Sequence, residues 1–83
     1  MKLKMFALHD QALEAYGSPM VYTTRGQALR EFTDQVNDKQ SQINKHPEHY
    51  TLHYLGEYDN ATASFSNDGA PIQVAAAADV ITN

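Results

Sequence analysis

The sequence predicts an α+β fold, a small antiparallel β-sheet with elements in the order β-β-α-β-β, packed against one amphipathic helix. Three observations predict it. From Tyr50 to Tyr58 the side chains alternate, with Tyr50, Leu52, Tyr54, Gly56 and Tyr58 on one side and Thr51, His53, Leu55 and Glu57 on the other, the period of a strand. One stretch, after Thr24, instead repeats its apolar residues three and four positions apart, the spacing of one helix face. Turn-forming residues (Gly17-Ser18-Pro19, Asn37-Asp38, Asp59-Asn60, Asn67-Asp68-Gly69) separate these stretches. At 83 residues the chain is expected to be a single domain, residues 1–83, near the lower size limit for a core unaided by metal or disulfide.

Taken in order, Lys2 to His9 reads as a strand. Leu3, Met5 and Ala7 share one face and Phe6 and Leu8 the other, so its second half belongs inside a sheet rather than at an edge. Asp10 to Ser18 reads as a loop with a helical turn around Gln11–Ala15, and Met20-Val21-Tyr22-Thr23 as a β-branched and aromatic strand. Thr24 is placed to cap a helix, with Gln27 three residues on completing a capping box. Ala28, Leu29, Phe32 and Val36 form its apolar stripe, and Asn37-Asp38 ends it after about three turns. Lys39 to His49 is polar and expected to be irregular, because Pro47 drives His46 out of helical geometry. Ala61 to Ser66 would pair back on the Tyr50–Tyr58 strand as a hairpin. The tail is divided: Ile72 and Val74 favour a strand, Ala75 to Ala78 a helix, so a short strand with a weakly helical end is expected.

Composition narrows the function classes. There is no cysteine, which excludes disulfides, thiolate metal sites and cysteine nucleophiles. No apolar run approaches the roughly 20 residues of a membrane span. The lysines interrupting Met1 to Phe6 do not suit a secretory leader, so a strand in a cytoplasmic protein is expected. Net charge is −4, unevenly spread: all six basic residues lie before His46, and five acids with no Lys or Arg follow it. No serine sits in a nucleophile elbow, Glu57 and Asp59 lie on one strand edge beside a turn, where solvated carboxylates usually sit, and the four glycines match no phosphate cradle. No catalytic residue and no cofactor is assigned. His46, His49 and His53 suggest a metal. On a strand, however, His49 and His53 stand about 13 Å apart, far beyond a shared zinc ion, so no metal ligand is assigned either.

What remains is surface chemistry. Tyr50, Tyr54 and Tyr58 recur on one strand face, where exposed rings could stack on unpaired bases. The same row could instead pack under the helix. Lys2, Lys4, Arg25 and Arg30 are the candidate phosphate contacts, and Tyr22, Tyr54 and Tyr58 the candidate stacking residues. Two copies could join their basic halves and add buried area.

Several motifs stand together in order: Met1-Lys2-Leu3-Lys4-Met5-Phe6; Thr24-Arg25-Gly26-Gln27-Ala28-Leu29-Arg30-Glu31-Phe32 with Val36-Asn37-Asp38; and His46-Pro47-Glu48-His49-Tyr50-Thr51-Leu52, leading into Leu55-Gly56-Glu57-Tyr58-Asp59 and Ala61-Thr62. The set resembles the small non-structural protein of gokushoviruses, single-stranded DNA bacteriophages of the Microviridae. The resemblance spans residues 1–66 and fades in the Ala-rich tail. His49 departs from it, standing where an acidic residue is expected after Pro47-Glu48. The resemblance implies a role outside the virion, in the host bacterial cytoplasm, in the switch to single-strand genome synthesis. The implied partners are single-stranded DNA, the viral replication initiator or a host helicase. The expectation is therefore a homodimeric single-stranded DNA binder rather than an enzyme. The alternative is an adaptor that engages the initiator or helicase without touching DNA.

Overall fold

The computed structural model describes residues 1–67 and 69–82. Its sheet is built on two long central strands, β1 (Lys2–Asp10) and β4 (Tyr50–Asp59), paired antiparallel from Lys2↔Asp59 to Asp10↔Tyr50. Two short strands, β2 (Ala15–Tyr16) and β3 (Met20–Tyr22), share the outer edge of β1. Two more, β5 (Ser64–Ser66) and β6 (Ile72–Ala76), share the outer edge of β4. Every neighbour is antiparallel, giving six strands among the described residues. The α+β class and the interior position of β1 agree with the sequence. The strand count is higher than β-β-α-β-β, because both edges are assembled from two fragments each.

Helix α1 (Arg25–Asn37) starts where expected: Thr24 is the N-cap and its Oγ1 accepts from the Gln27 N–H at 3.1 Å. The reciprocal arm differs by one residue. Gln27 Oε1 accepts from the backbone N–H and hydroxyl of Thr23, not from Thr24. Ala28, Phe32 and Val36 are buried against the sheet, with Leu29 at the margin. Asn37 ties the C-terminal end of the helix to the tail: its Nδ2 donates to Val80 O at 3.1 Å, and its Oδ1 accepts from Thr82 N at 2.7 Å. The tail itself is β6 followed by the short helix α3 (Ala77–Val80), the strand-then-helix pattern anticipated from composition.

The polar segment before β4 is more ordered than its composition suggests. Ser41 caps a four-residue helix, α2 (Gln42–Lys45), by accepting from Asn44 N at 3.1 Å, and Ile43 is buried in the core. His46 then leaves helical geometry (φ −137°, ψ 58°), as Pro47 demands, and Pro47–His49 form a 3₁₀ turn. The hairpin strand β5 is shorter than expected. Asp59 uses its carboxylate on Ala61 N (2.9 Å) and its carbonyl on Ala63 N (2.7 Å), so the first residues of that segment are taken by the turn. The turn expected at Asn67–Gly69 includes Asp68, which lies outside the described residues.

The core joins Phe6, Ala28, Phe32, Val36, Ile43, Leu52 and Ala77 on the helix side of the sheet. One register shift decides what lies on each side. Met5 pairs with Gly56 but Phe6 pairs with Tyr54, so Leu55 is an extra residue on β4. Tyr50, Leu52 and Tyr54 therefore share the helix side with Phe6, whereas Tyr58, opposite Leu3, is turned to the other face. This corrects the expectation of a single Tyr50–Tyr54–Tyr58 row. Strict alternation fails wherever one strand of a pair carries an additional residue. The open face, away from the helix, presents Leu3, Met5, Val21, Tyr58 and Phe65, with Val21 48% and Phe65 49% exposed.

Candidate nucleic-acid interface

A groove opens beside the first turn of α1, on the helix side of the sheet. Lys4 from β1, Arg25 from the first turn of α1, Tyr54 from β4, and Ile72, Gln73 and Val74 from β6 line it, around a volume of about 320 Å³. Three of the seven residues singled out from the sequence meet there, from three elements. Arg25 is exposed, and no acidic residue occupies the first turn of α1. Lys4 Nζ lies 3.4 Å from Glu57 Oε2, both side chains being 36% exposed.

The remaining four lie elsewhere. Lys2 is exposed on the same side of the sheet but lines a shallow pocket with Glu57, Asp59, Ser64 and Ser66, where two carboxylates offset its charge. Arg30 is exposed on α1. Tyr22 is a core-margin residue, set edge-to-face on Phe6 (centroids 5.9 Å) with its hydroxyl 3.6 Å from Met20 Sδ. Burial, then the hydrogen bond and charge of Glu31, raise its pKa above the ordinary phenol value. Tyr54 also packs edge-to-face on Phe6, at 5.5 Å, yet still lines the groove. Tyr58 is on the open face, paired with Phe65. The tyrosines thus divide between core, groove and open face rather than forming one stacking platform.

Two further features were not singled out from the sequence. A cleft of about 510 Å³ runs between α1 and the β3 edge, floored by Leu8, Met20, Phe32, Ile43 and Leu52, with Glu31 and Asp34 among its lining residues. On the open face, His9, Tyr16 and His53 form a three-ring cluster with centroid separations of 4.7, 5.2 and 5.9 Å. Only the strand pairings reveal these contacts, because His9 and His53 are 44 positions apart.

The pKa of His53 is lowered by burial first and then by His9, a hydrogen bond to the Thr51 backbone opposing the shift in part. The folded chain therefore binds this proton more weakly than the unfolded chain does. Stability associated with neutral His53 is complete above about pH 6.5 and is lost as pH falls from there through the lowered folded value. His53→Gln is expected to flatten the decline in Tm between about pH 7.5 and about pH 5.5. A variant that keeps the full wild-type slope in a thermal melt series would show that the ring is not its source.

Fold and groove together define a small antiparallel-sheet protein with a basic, partly aromatic recess beside the first turn of its helix. The chain belongs to the Phage ORF5 protein family, whose family model matches residues 3–80, and so is a phage protein. That match includes the Ala-rich tail. No curated protein and no solved structure matched the chain. Among the described residues, no helix is long and apolar enough to cross a membrane.

Proposed function

We propose that the chain is the small non-structural protein of a gokushovirus-type phage of the Microviridae, acting in single-stranded genome synthesis by binding single-stranded DNA in the host cytoplasm, outside the virion. Family membership and the ordered motif set support the phage assignment. The observation that carries DNA binding is the convergence of Lys4, Arg25 and Tyr54 on one groove.

Single-stranded DNA offers spaced phosphates and unpaired base faces, and such proteins meet them with cations beside aromatic rings. Lys4 and Arg25 supply the cations, and the positive end of α1 adds to their field. Tyr54 offers a ring, and Ile72 and Val74 an apolar wall. The Lys4–Glu57 pair does not close the site. A half-exposed pair of this kind is worth less than about 1 kcal/mol, so a phosphate can displace Glu57. Lys2 and Arg30 contribute longer-range attraction. The open face, with Leu3, Met5, Val21, Tyr58 and Phe65, is the natural homodimer contact, and it leaves the groove of each copy facing outward.

The test is titration of labelled oligothymidylate at two salt concentrations. Affinity should weaken with salt with a log–log slope of about −0.7 per phosphate neutralised. Replacing Lys2 and Lys4 together by Glu should abolish binding while the circular dichroism spectrum stays unchanged. Unaltered affinity in that variant would refute the site. Sedimentation of the same sample checks the dimer, and a monomer mass would remove that part of the reading.

A second reading has its own observation. The apolar cleft beside Glu31 and Asp34 suits an apolar side chain flanked by basic residues, as a replication initiator or helicase segment could present. Absence of DNA binding even at low salt would favour this adaptor role.

A further inference from the structure

Strand spacing separates His49 from His53, but the 3₁₀ turn brings a different set together. Residues three apart eclipse in such a turn. His46 and His49 accordingly stand side by side, with ring centroids 5.9 Å apart and planes within 18°. Glu48 projects between them, its Oε1 4.0 Å from His46 Nδ1 and 3.9 Å from His49 Nε2. One donor atom from each of the three residues lies within 4.8 Å of the others. We propose that His46, Glu48 and His49 bind a borderline transition-metal dication, with zinc as the reference ion and water completing its coordination.

The donor set selects the ion. Two imidazoles with one carboxylate suit zinc and its neighbours, whereas calcium and magnesium prefer oxygen alone. In a tetrahedral site with bonds of about 2.0–2.1 Å, donors sit about 3.3–3.4 Å apart. The two nitrogen–oxygen separations therefore need to close by less than about 1 Å, and the widest pair by about 1.5 Å. Rotation of side chains suffices, because His46 and Glu48 are exposed and His49 is half-exposed.

The backbone beneath them is already fixed. His46 N donates to Gln42 O at 3.1 Å, His49 N to His46 O at 3.0 Å, and Gln11 N to His49 O at 2.8 Å. Pro47 locks the first φ of the turn. Little backbone ordering remains for binding to oppose, and only the three side chains have to be fixed. At 3.9–4.0 Å the carboxylate is beyond hydrogen-bond range of both rings, so the residues converge without satisfying one another. A cation there would fasten α2 and the Gln11 turn to the start of β4. None of the three residues lines the Lys4–Arg25–Tyr54 groove, so the site stands or falls independently of DNA binding.

Zinc chloride titrated into the full chain, followed by calorimetry and by amide resonances, tests the proposal. One saturable site is expected, with the largest shifts at His46, Glu48 and His49, and with no response to magnesium. His46→Gln and His49→Gln should each weaken zinc at least about tenfold, since even supporting partners of metal ligands have effects of that size. Their zinc-free spectra should match wild type. The His9–His53 pair is the internal control. If His53→Gln removes zinc binding and His46→Gln does not, the proposal is overturned. No saturation up to millimolar zinc overturns it as well.

Discussion

Phe6→Ala is expected to lower stability by about 3–5 kcal/mol, the range for truncating a fully buried aromatic side chain. Phe6 is 0% exposed at the middle of a central strand. Its ring meets Tyr22 and Tyr54 edge-to-face and belongs to the same cluster as Phe32, Val36 and Leu52. Each aromatic pair adds about 0.5–1.5 kcal/mol beyond the area it buries. Domains hold about 0.05–0.15 kcal/mol per residue, so in a chain of 83 residues this one change removes much of the total. Urea denaturation should show a greatly lowered midpoint or no folded baseline. Phe6→Leu, which keeps most of the apolar volume, should fold and permit comparison. It should also weaken DNA binding, because Phe6 supports the Tyr54 ring at the groove. A loss below about 1 kcal/mol in Phe6→Ala would mean that the surroundings collapse fully into the space.

The same residue shows why much of the fold was legible. Phe6 and Leu8 on one face, with Leu3, Met5 and Ala7 on the other, mark a strand apolar on both sides, which places it inside a sheet. Thr24 and the Ala28–Phe32–Val36 spacing likewise mark the helix and its start, since capping and helical periodicity are local. Local chemistry also accounts for the strand-then-helix tail. The edges were not legible. Ala15–Tyr16 is a strand only because β1 offers an unpaired edge beyond β3. Ile43 anchors α2 from within a segment whose composition reads as loop. The candidate site divides along the same line. Lys4, Arg25 and Tyr54 could each be named from residue type, but their meeting depends on the pairing of β1 with β4 and on the packing of α1 beside them, which only the tertiary fold decides. Tyr58 was misassigned in face because a bulge leaves no mark in an alternating pattern.

Gly56 follows that bulge directly, and Gly56→Ala is expected to lower stability by about 3 kcal/mol or more, combining backbone strain and overpacking. Gly56 has φ +141°, which residues with a side chain rarely adopt, and it is buried. A Cβ there would collide with the carbonyl oxygen of Ser66 and lie 2.9 Å from Asn67 Cα. Both obstacles are backbone, so no rotamer change relieves them. The chain has two responses. It can move β5 away from β4, exposing the Glu57–Ser66 pairing, or it can expel the bulge and restore alternation. The second would swing Tyr58 toward the helix side and break the Lys4↔Glu57 register beside the groove. Amide exchange separates the two outcomes. Loss of protection confined to residues 64–66 reports displacement of β5, whereas altered protection along residues 54–59 and 2–5 reports a register change. Gly69, whose Cβ would meet nothing within 4 Å, is the matched control: Gly69→Ala carries strain at φ +73° without collision and should be clearly milder. Equal losses at the two positions would assign the role of Gly56 to backbone strain alone, and the close approach of β5 would then not be what requires a glycine.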